Sequence, residues 1–480
     1  MNPSQRSRSV QQARVCRHAS NADSFAFFNL LTGPQLLDRV EAQLPAHRER
    51  KFPPTETLSM FLAQVLSADG SCQQALDDVL VKRVVAGLEP GSTDTGAYCK
   101  ARARLPLSMV STLARETGAV VAGETPLWWR WRGRRVRRVD GTTITLADTQ
   151  ENQAEYPQPA SQEQGLGFPV LRLVVLLCLA TGALIDAAMG PCEGKGSDEQ
   201  SLFRELLDAL ESGDVLVADA FYPTYFLLCE LVRGGVDGVF EQFGARRRST
   251  NFSLGEGLGV KDHLITLPKP KRPEWMSQWE YDQFPTTLKV RELKAGGKIL
   301  VTTFLDPKET SKREVAALLR RRWHVELDLR NIKTTLGMEQ LRCKTPEMAR
   351  KELWVYLLAY NLIRLLMAQS ALLADQIPRQ LSFKHSVQIW LAWQQRGGET
   401  DDPRAIQTLL ILIAGPRVGL RPGRIEPRAV KRRPKPFSRL TQPRKVAQEQ
   451  VREHGHPRKW RRARACDSGR QPAVSQSESA

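Results

Sequence analysis

At 480 residues the chain is long enough for several domains and a large core, and its 41% hydrophobic content excludes a disordered protein. Its net charge of +18 points to a polyanionic partner, yet between Arg421 and Arg464 alone 16 Lys/Arg face three acidic residues, so the rest is only mildly basic. The eight cysteines are scattered, with no C-x-x-C pair, which argues against a zinc site or a disulfide framework and fits a reducing cytoplasm.

Residues 1–53 form a polar segment whose start is basic, unlike a signal peptide. Residues 54–125 read as a helical domain. Apolar residues recur with a helical period from Thr57, Ser71 and Gln74 form a capping box, and Pro106 opens a helix that ends near Gly123. Lys100, Arg102 and Arg104 lie on a short helix between them, and two readings stay open: a DNA-contacting module or a solvated face. Trp128, Trp129 and Trp131 then interleave with six arginines up to Arg138. That pattern suits nucleic acid, and equally suits tryptophans anchoring a strand to the core.

The run leads into VDGTTITL, a strand containing Asp140. After a polar loop come two strands, Val170–Leu179 and Ala183–Met189, turned by Thr181-Gly182. Ser197 and Gln200 are expected to cap a helix running to Gly213, and DVLVADAFY is a short buried strand with Asp219 just past its apolar part. Three strands, a helix and a strand open an RNase H-like α/β fold, a mixed sheet with helices in which acidic residues on the first and fourth strands converge. The predicted core spans residues 126–238 and 308–375. Residues 239–307, rich in turn and β signals, read as an inserted β subdomain.

Ser311–Gly337 reads as one amphipathic helix, capped by Ser311 and Glu314 and ended by Gly337. Leu318, Val325, Leu329, Ile332 and Leu336 form its apolar stripe. Beside that stripe Arg322, Glu326 and Lys333 fall within ~40° of one another. Taken alone, the trio reads as an exposed ion-pair cluster. Leu353–Leu373 is long enough to cross a bilayer, but Asn361, Arg364 and Gln369 favour a buried helix and no membrane partner. Helices continue through 376–415, and residues 416–480 form a basic tail with no apolar period, expected to be extended or disordered.

Asp140, Asp219 and Glu326 are three carboxylates able to converge on divalent cations, which take hard oxygen ligands. Spacing alone does not single them out, because Asp148, Asp186, Asp214 and Asp328 compete. The segments VDGTTITLADT, VLVADAFY and R-x3-E-x6-K (Arg322, Glu326, Lys333), with the downstream YNLIR, resemble the DDE transposases of the insertion sequence 4 family. The family signature Tyr-x2-Arg-x3-Glu-x6-Lys is met at three of four positions, with Leu319 in place of the Tyr.

The resemblance implies an enzyme that binds terminal inverted repeats, pairs two ends in a homodimeric synaptic complex, cleaves with Mg²⁺ (or Mn²⁺) and joins 3′-OH ends to target double-stranded DNA. By position, Asp140, Asp219 and Glu326 are the implied metal ligands, and Arg322 and Lys333 the implied phosphate contacts. Trp275, Trp279 and Trp323 are candidates to stack on a flipped base, with core packing the favoured alternative for each. A DNA-binding repressor without catalysis and an RNase H-like nuclease without strand transfer are the competing functions.

Overall fold

The computed structural model describes residues 52–418, apart from 68, 86, 88, 90, 124, 195, 243 and 396–402, together with residues 442–454. The N-terminal segment and most of the basic tail lie outside the described residues.

Four helices come first: α1 (Pro54–Leu66), α2 (Cys72–Val85), α3 (Gly96–Arg104) and α4 (Leu107–Gly123). The Ser71 hydroxyl accepts from Gln74 N at 3.1 Å, as an N-cap does. α3 departs from its sequence reading. Lys100 and Arg104 are exposed, but Arg102 is buried, its Nη1 3.3 Å from Gln64 Oε1 and its guanidinium 4.8 Å from the Phe61 ring centroid. A long aliphatic stem and a planar cation let Arg serve as core packing here. Arg102 therefore has no free face for DNA.

The central part alternates strands and helices: β1 (Val136–Thr145), β2 (Val170–Cys178), β3 (Leu184–Pro191), α5 (Glu199–Arg204), β4 (Val215–Ala218), α6 (Tyr225–Arg233), β5 (Asp237–Glu241) and α7 (Gly244–Ser249). The α5 cap is Asp198, not the expected Ser197: Asp198 Oδ1 accepts from Gln200 N and Ser201 N. Four more strands follow, β6 (Glu256–Gly259), β7 (Asp262–Pro268), β8 (Thr287–Ala295) and β9 (Lys298–Thr302). All nine strands form one sheet in the order β3-β2-β1-β4-β5-β9-β8-β7-β6. β1, β4 and β5 are parallel neighbours, and the remaining pairs are antiparallel. The mixed α/β architecture is thus present; the strands of the segment read as an inserted β subdomain extend the same sheet, and the boundary placed at 239 falls inside β5.

The helix expected over 311–337 is built from pieces. α8 (Lys312–Arg320) passes into a 3-10 turn at Arg321–Trp323, then α9 (His324–Arg330), then a π turn at Asn331–Thr335. Its ends are as expected: Ser311 and Glu314 form the reciprocal capping box, and Gly337 takes φ +84°. All five residues of the apolar stripe are buried.

α10 (Pro346–Leu373) is the central helix of the core, followed by α11 (Phe383–Gln395), α12 (Pro403–Ala414) and, within the expected tail, α13 (Arg444–His454). α10 is long and apolar enough to cross a membrane, but 89% of its most apolar window is buried inside the protein. Its Asn361 shows why polar residues sit there. The side chain accepts from Leu184 N and donates to the carbonyls of Leu184 and Ala114, joining α10 to β3 and α4. Gly118 allows this approach, because a Cβ there would collide with the Leu184 carbonyl oxygen. One face of the sheet packs on α1, α4, α9 and α10, and the other on α5 and α6.

Candidate active site

Strand register brings the two aspartates together. β1 and β4 run parallel with Arg138 opposite Val217, so Asp140 and Asp219 each lie two residues further on, level with one another on adjacent strands. Neighbouring strands are ~4.8 Å apart. Side chains alternate along a strand, so Asp140 shares its face with Arg138 and Thr142, the face that α9 covers. Asp140 Oδ1 accepts from Gly141 N at 3.0 Å, and Asp219 Oδ1 accepts from Phe221 N at 2.8 Å.

Burial pushes the Asp140 carboxyl up to about 6. The Gly141 N–H and the Arg322 charge oppose the rise, while the like charges of Asp219 and Glu199 add to it. Arg322 is thus within electrostatic reach of Asp140. It also donates from Nη2 to Glu326 Oε1 at 3.2 Å, a half-exposed i, i+4 pair. Lys333, in the π turn, reaches β1 directly: its Nζ is 2.9 Å from the Thr143 carbonyl and 3.2 Å from Thr142 Oγ1. The expected side-by-side trio therefore splits. Arg322 holds Glu326, and Lys333 holds the strand of Asp140. The side chain of Trp323 lies outside the described residues.

Asp328 joins the Glu326 segment to the strand of Asp140. It is buried and accepts from Arg138 Nη2, Arg364 Nη2 and Arg379 Nη1, each at 2.6 Å. Burial alone would raise its pKa, but Arg379, Arg364 and Arg138 outweigh that and hold the carboxyl below its ordinary value. Arg138 is two residues before Asp140, and Asp328 is two residues after Glu326. The cluster therefore fixes α9 against β1 at the level of the site.

Sequence reasoning missed Glu199. Its carboxylate packs against the backbone of Gly141, where any Cβ would collide with it, and accepts from the Tyr222 hydroxyl at 3.3 Å. Arg172 Nη1 stands 3.8 Å away. Burial raises the Glu199 carboxyl, with Tyr222 and Arg172 opposing. An acidic residue in the first turn of a helix reads as a partner of the helix dipole. The available signal was Gly141, a glycine inside a β-branched strand, which marks a close approach. Trp275 and Trp279 are exposed, and the Arg204 guanidinium lies 3.8 Å from the Trp275 ring centroid. Among the described residues, no three His, Cys, Asp or Glu side chains are grouped to hold a metal ion.

Residues 131–362, which contain Asp140, Asp219, Arg322, Glu326 and Lys333, match the family described as the transposase DDE domain. The chain is 28% identical over 346 residues to the transposase InsG for insertion sequence element IS4 of Escherichia coli (strain K12), covering 70% of this chain and 76% of that protein. Residues 131–362 thus carry the likeness to the transposase DDE domain, and the chain as a whole is similar to a transposase of the insertion sequence 4 family. A further relative, the transposase for insertion sequence element IS421 of Escherichia coli, is 39% identical over a 71-residue stretch, 15% of this chain and 19% of that protein. Enzymes of this family cleave and transfer nucleic-acid strands, and they generally use divalent metal ions.

Proposed function

We propose that the chain binds the terminal inverted repeats of an insertion sequence, pairs two ends as a homodimer, cleaves at those ends and joins the freed 3′-OH groups to target DNA. The observation that carries this reading is that Asp140 on β1 and Asp219, one residue past the end of its parallel neighbour β4, come out level with one another beneath the helix segment of Glu326. The donor set is all carboxylate oxygen, which fits Mg²⁺ or Mn²⁺. Asp140, Asp219 and Glu326 would hold the ions. When bound, a pair of such ions activates an attacking oxygen and stabilises the leaving oxygen of an in-line phosphoryl displacement.

The protein's own residues supply the rest. Crowded, half-desolvated Asp140 and Asp219 are poised for a cation that relieves their repulsion. To serve as a ligand beside them, Glu326 would have to give up its pair with Arg322, an i, i+4 contact worth only about 0.3–0.5 kcal/mol. Arg322 would then be free for a phosphate oxygen. Lys333 stays docked on Thr142 and Thr143, beside the same strand.

The test is cleavage of a duplex bearing an inverted-repeat end. Asp140→Asn is expected to abolish Mg²⁺-dependent cutting while end binding persists, and a mutant that still cuts would show the triad assignment wrong. The Glu326–Arg322 pair supports a second reading, a DNA-binding repressor that does not cleave. Wild-type protein that binds ends and never cuts them in Mg²⁺ or Mn²⁺ would establish it.

A further inference from the structure

The row of residues level with the two aspartates continues across the sheet. Ala218 of β4 is opposite Phe240 of β5, so Asp219 is level with Glu241, which pairs with Leu300 of β9, which pairs with Leu293 of β8. One residue beyond Leu293 is Lys294. The end of the sheet that carries Asp140 and Asp219 is therefore the end that carries Lys294 and the start of α7.

There Gly244, Arg247, Arg248, Lys294, Gly297 and Ile299 line a cleft of about 370 Å³. Liquid water occupies ~30 Å³ per molecule, so the space suits a phosphodiester with its hydration. Arg247, Arg248 and Lys294 are exposed, and none of the ion pairs found among the described residues involves them. The nearby acids are already taken. Glu292 binds Arg246 at 2.7 Å and lies 3.1 Å from His263, and Gln242 donates to it as well. Glu241 binds Lys298 at 2.6 Å. Arg246 thus fastens α7 to β8 and leaves its two neighbouring arginines to the cleft. Three uncompensated cations around an open cleft are an anion site, and the net charge of the chain does not explain why they gather here.

We propose that this cleft grips the sugar-phosphate backbone of duplex DNA beside the cutting site. The proposal deepens the transposase reading and rests on it for the identity of the anion. Four strand spacings separate β1 from β8, roughly 19 Å. At 3.4 Å per base pair that is about half a helical turn along the duplex. The contact is to phosphate and carries no base readout.

The test is the salt dependence of binding to a 30-base-pair duplex, measured by fluorescence anisotropy on the full chain. Each neutralised phosphate contributes about 0.9 to the log–log slope. Joint substitution Arg247→Ala, Arg248→Ala and Lys294→Ala is expected to flatten the slope by about two to three units, while Arg247→Lys with Arg248→Lys keeps it. A triple variant with the wild-type slope overturns the proposal, as does a lysine variant that loses slope as the alanines do. The readout needs no cleavage. If the slope falls as expected while the wild type never cuts, the grip stands and the catalytic reading fails. An unchanged slope in a protein whose wild type cuts means the opposite: the catalytic reading stands and the grip fails.

Discussion

The two ends of the sheet handle their charges in opposite ways. At the end where β1, β4 and β5 begin, each arginine from Arg130 to Arg137 has a partner within the protein. Arg134 binds Asp237 at 2.7 Å, and Arg135 and Arg137 both hold the buried Asp214. Arg130 donates to the Thr125 and Gly123 carbonyls, and Arg132 to the Glu309 carbonyl. The cleft at that end is the larger one, about 580 Å³, and its cations are paired. At the other end, burial and neighbouring like charge raise the Asp140 and Glu199 carboxyls, and Arg247, Arg248 and Lys294 have no carboxylate partner among the described residues. The two clefts differ less in size than in whether their cations are paired.

That contrast can be broken at several points. The largest effect is expected at Asp214, where Asp214→Ala leaves two guanidinium groups without their buried partner and should cost ~3–5 kcal/mol in chemical denaturation. Cleavage below the melting temperature should persist; a specific loss of catalysis would mean that this end is functional too. At the opposite end, Asp219→Asn should reverse the pattern. Cleavage should be lost as in Asp140→Asn, while stability holds or rises because a like charge beside Asp140 is gone. A strongly destabilised Asp219→Asn protein would contradict the division.

Gly141→Ala is expected to cost about 1–3 kcal/mol, since its Cβ displaces the Glu199 carboxylate. Glu199→Ala in the same chain should recover part of that loss. The interior cluster adds a pH signature. Asp328 has a depressed folded-state pKa, so its contribution is fully present above the ordinary aspartate value of 3.8 and is lost as pH falls through the folded value. Stability should be insensitive to Asp328 titration between pH 5 and 7, as order-of-magnitude bounds about its ordinary range, and Asp328→Asn should flatten the acid limb of the unfolding curve. The smallest effect is the salt slope of DNA binding in Arg134→Ala, which should match wild type because that arginine already faces Asp237.

Much of the fold was legible because it rests on local rules. The caps at Ser71 and Ser311, the Thr181-Gly182 turn and the apolar stripe from Leu318 to Leu336 depend on spacing and side-chain chemistry alone. The site was legible in part. Asp140, Asp219 and Glu326 could be named, but their level placement depends on strand register, which a single sequence does not encode locally. The arginine run misled for a related reason. Its partners Asp214, Asp237 and Asp328 lie 77 to 190 residues away or on other elements, and nothing nearby in sequence announces them. Arg102 and Lys100 look alike in sequence and differ only in which side of α3 meets Phe61. The 3-10 and π turns around α9 also escape a reading that assumes 100° per residue throughout.

The continuous nine-strand sheet has a mechanical consequence for any nucleic acid laid along its end. Adjacent strands rotate by about 20–25° with a fixed hand. Across the four steps from β1 to β8 the rotation accumulates to roughly 80–100°. The aspartates and the Lys294 cleft therefore face different directions, and a rigid straight rod cannot sit squarely on both. A duplex that engages the two together must curve around the twisting edge, so its flexibility, and not only its sequence, would enter the energy of association.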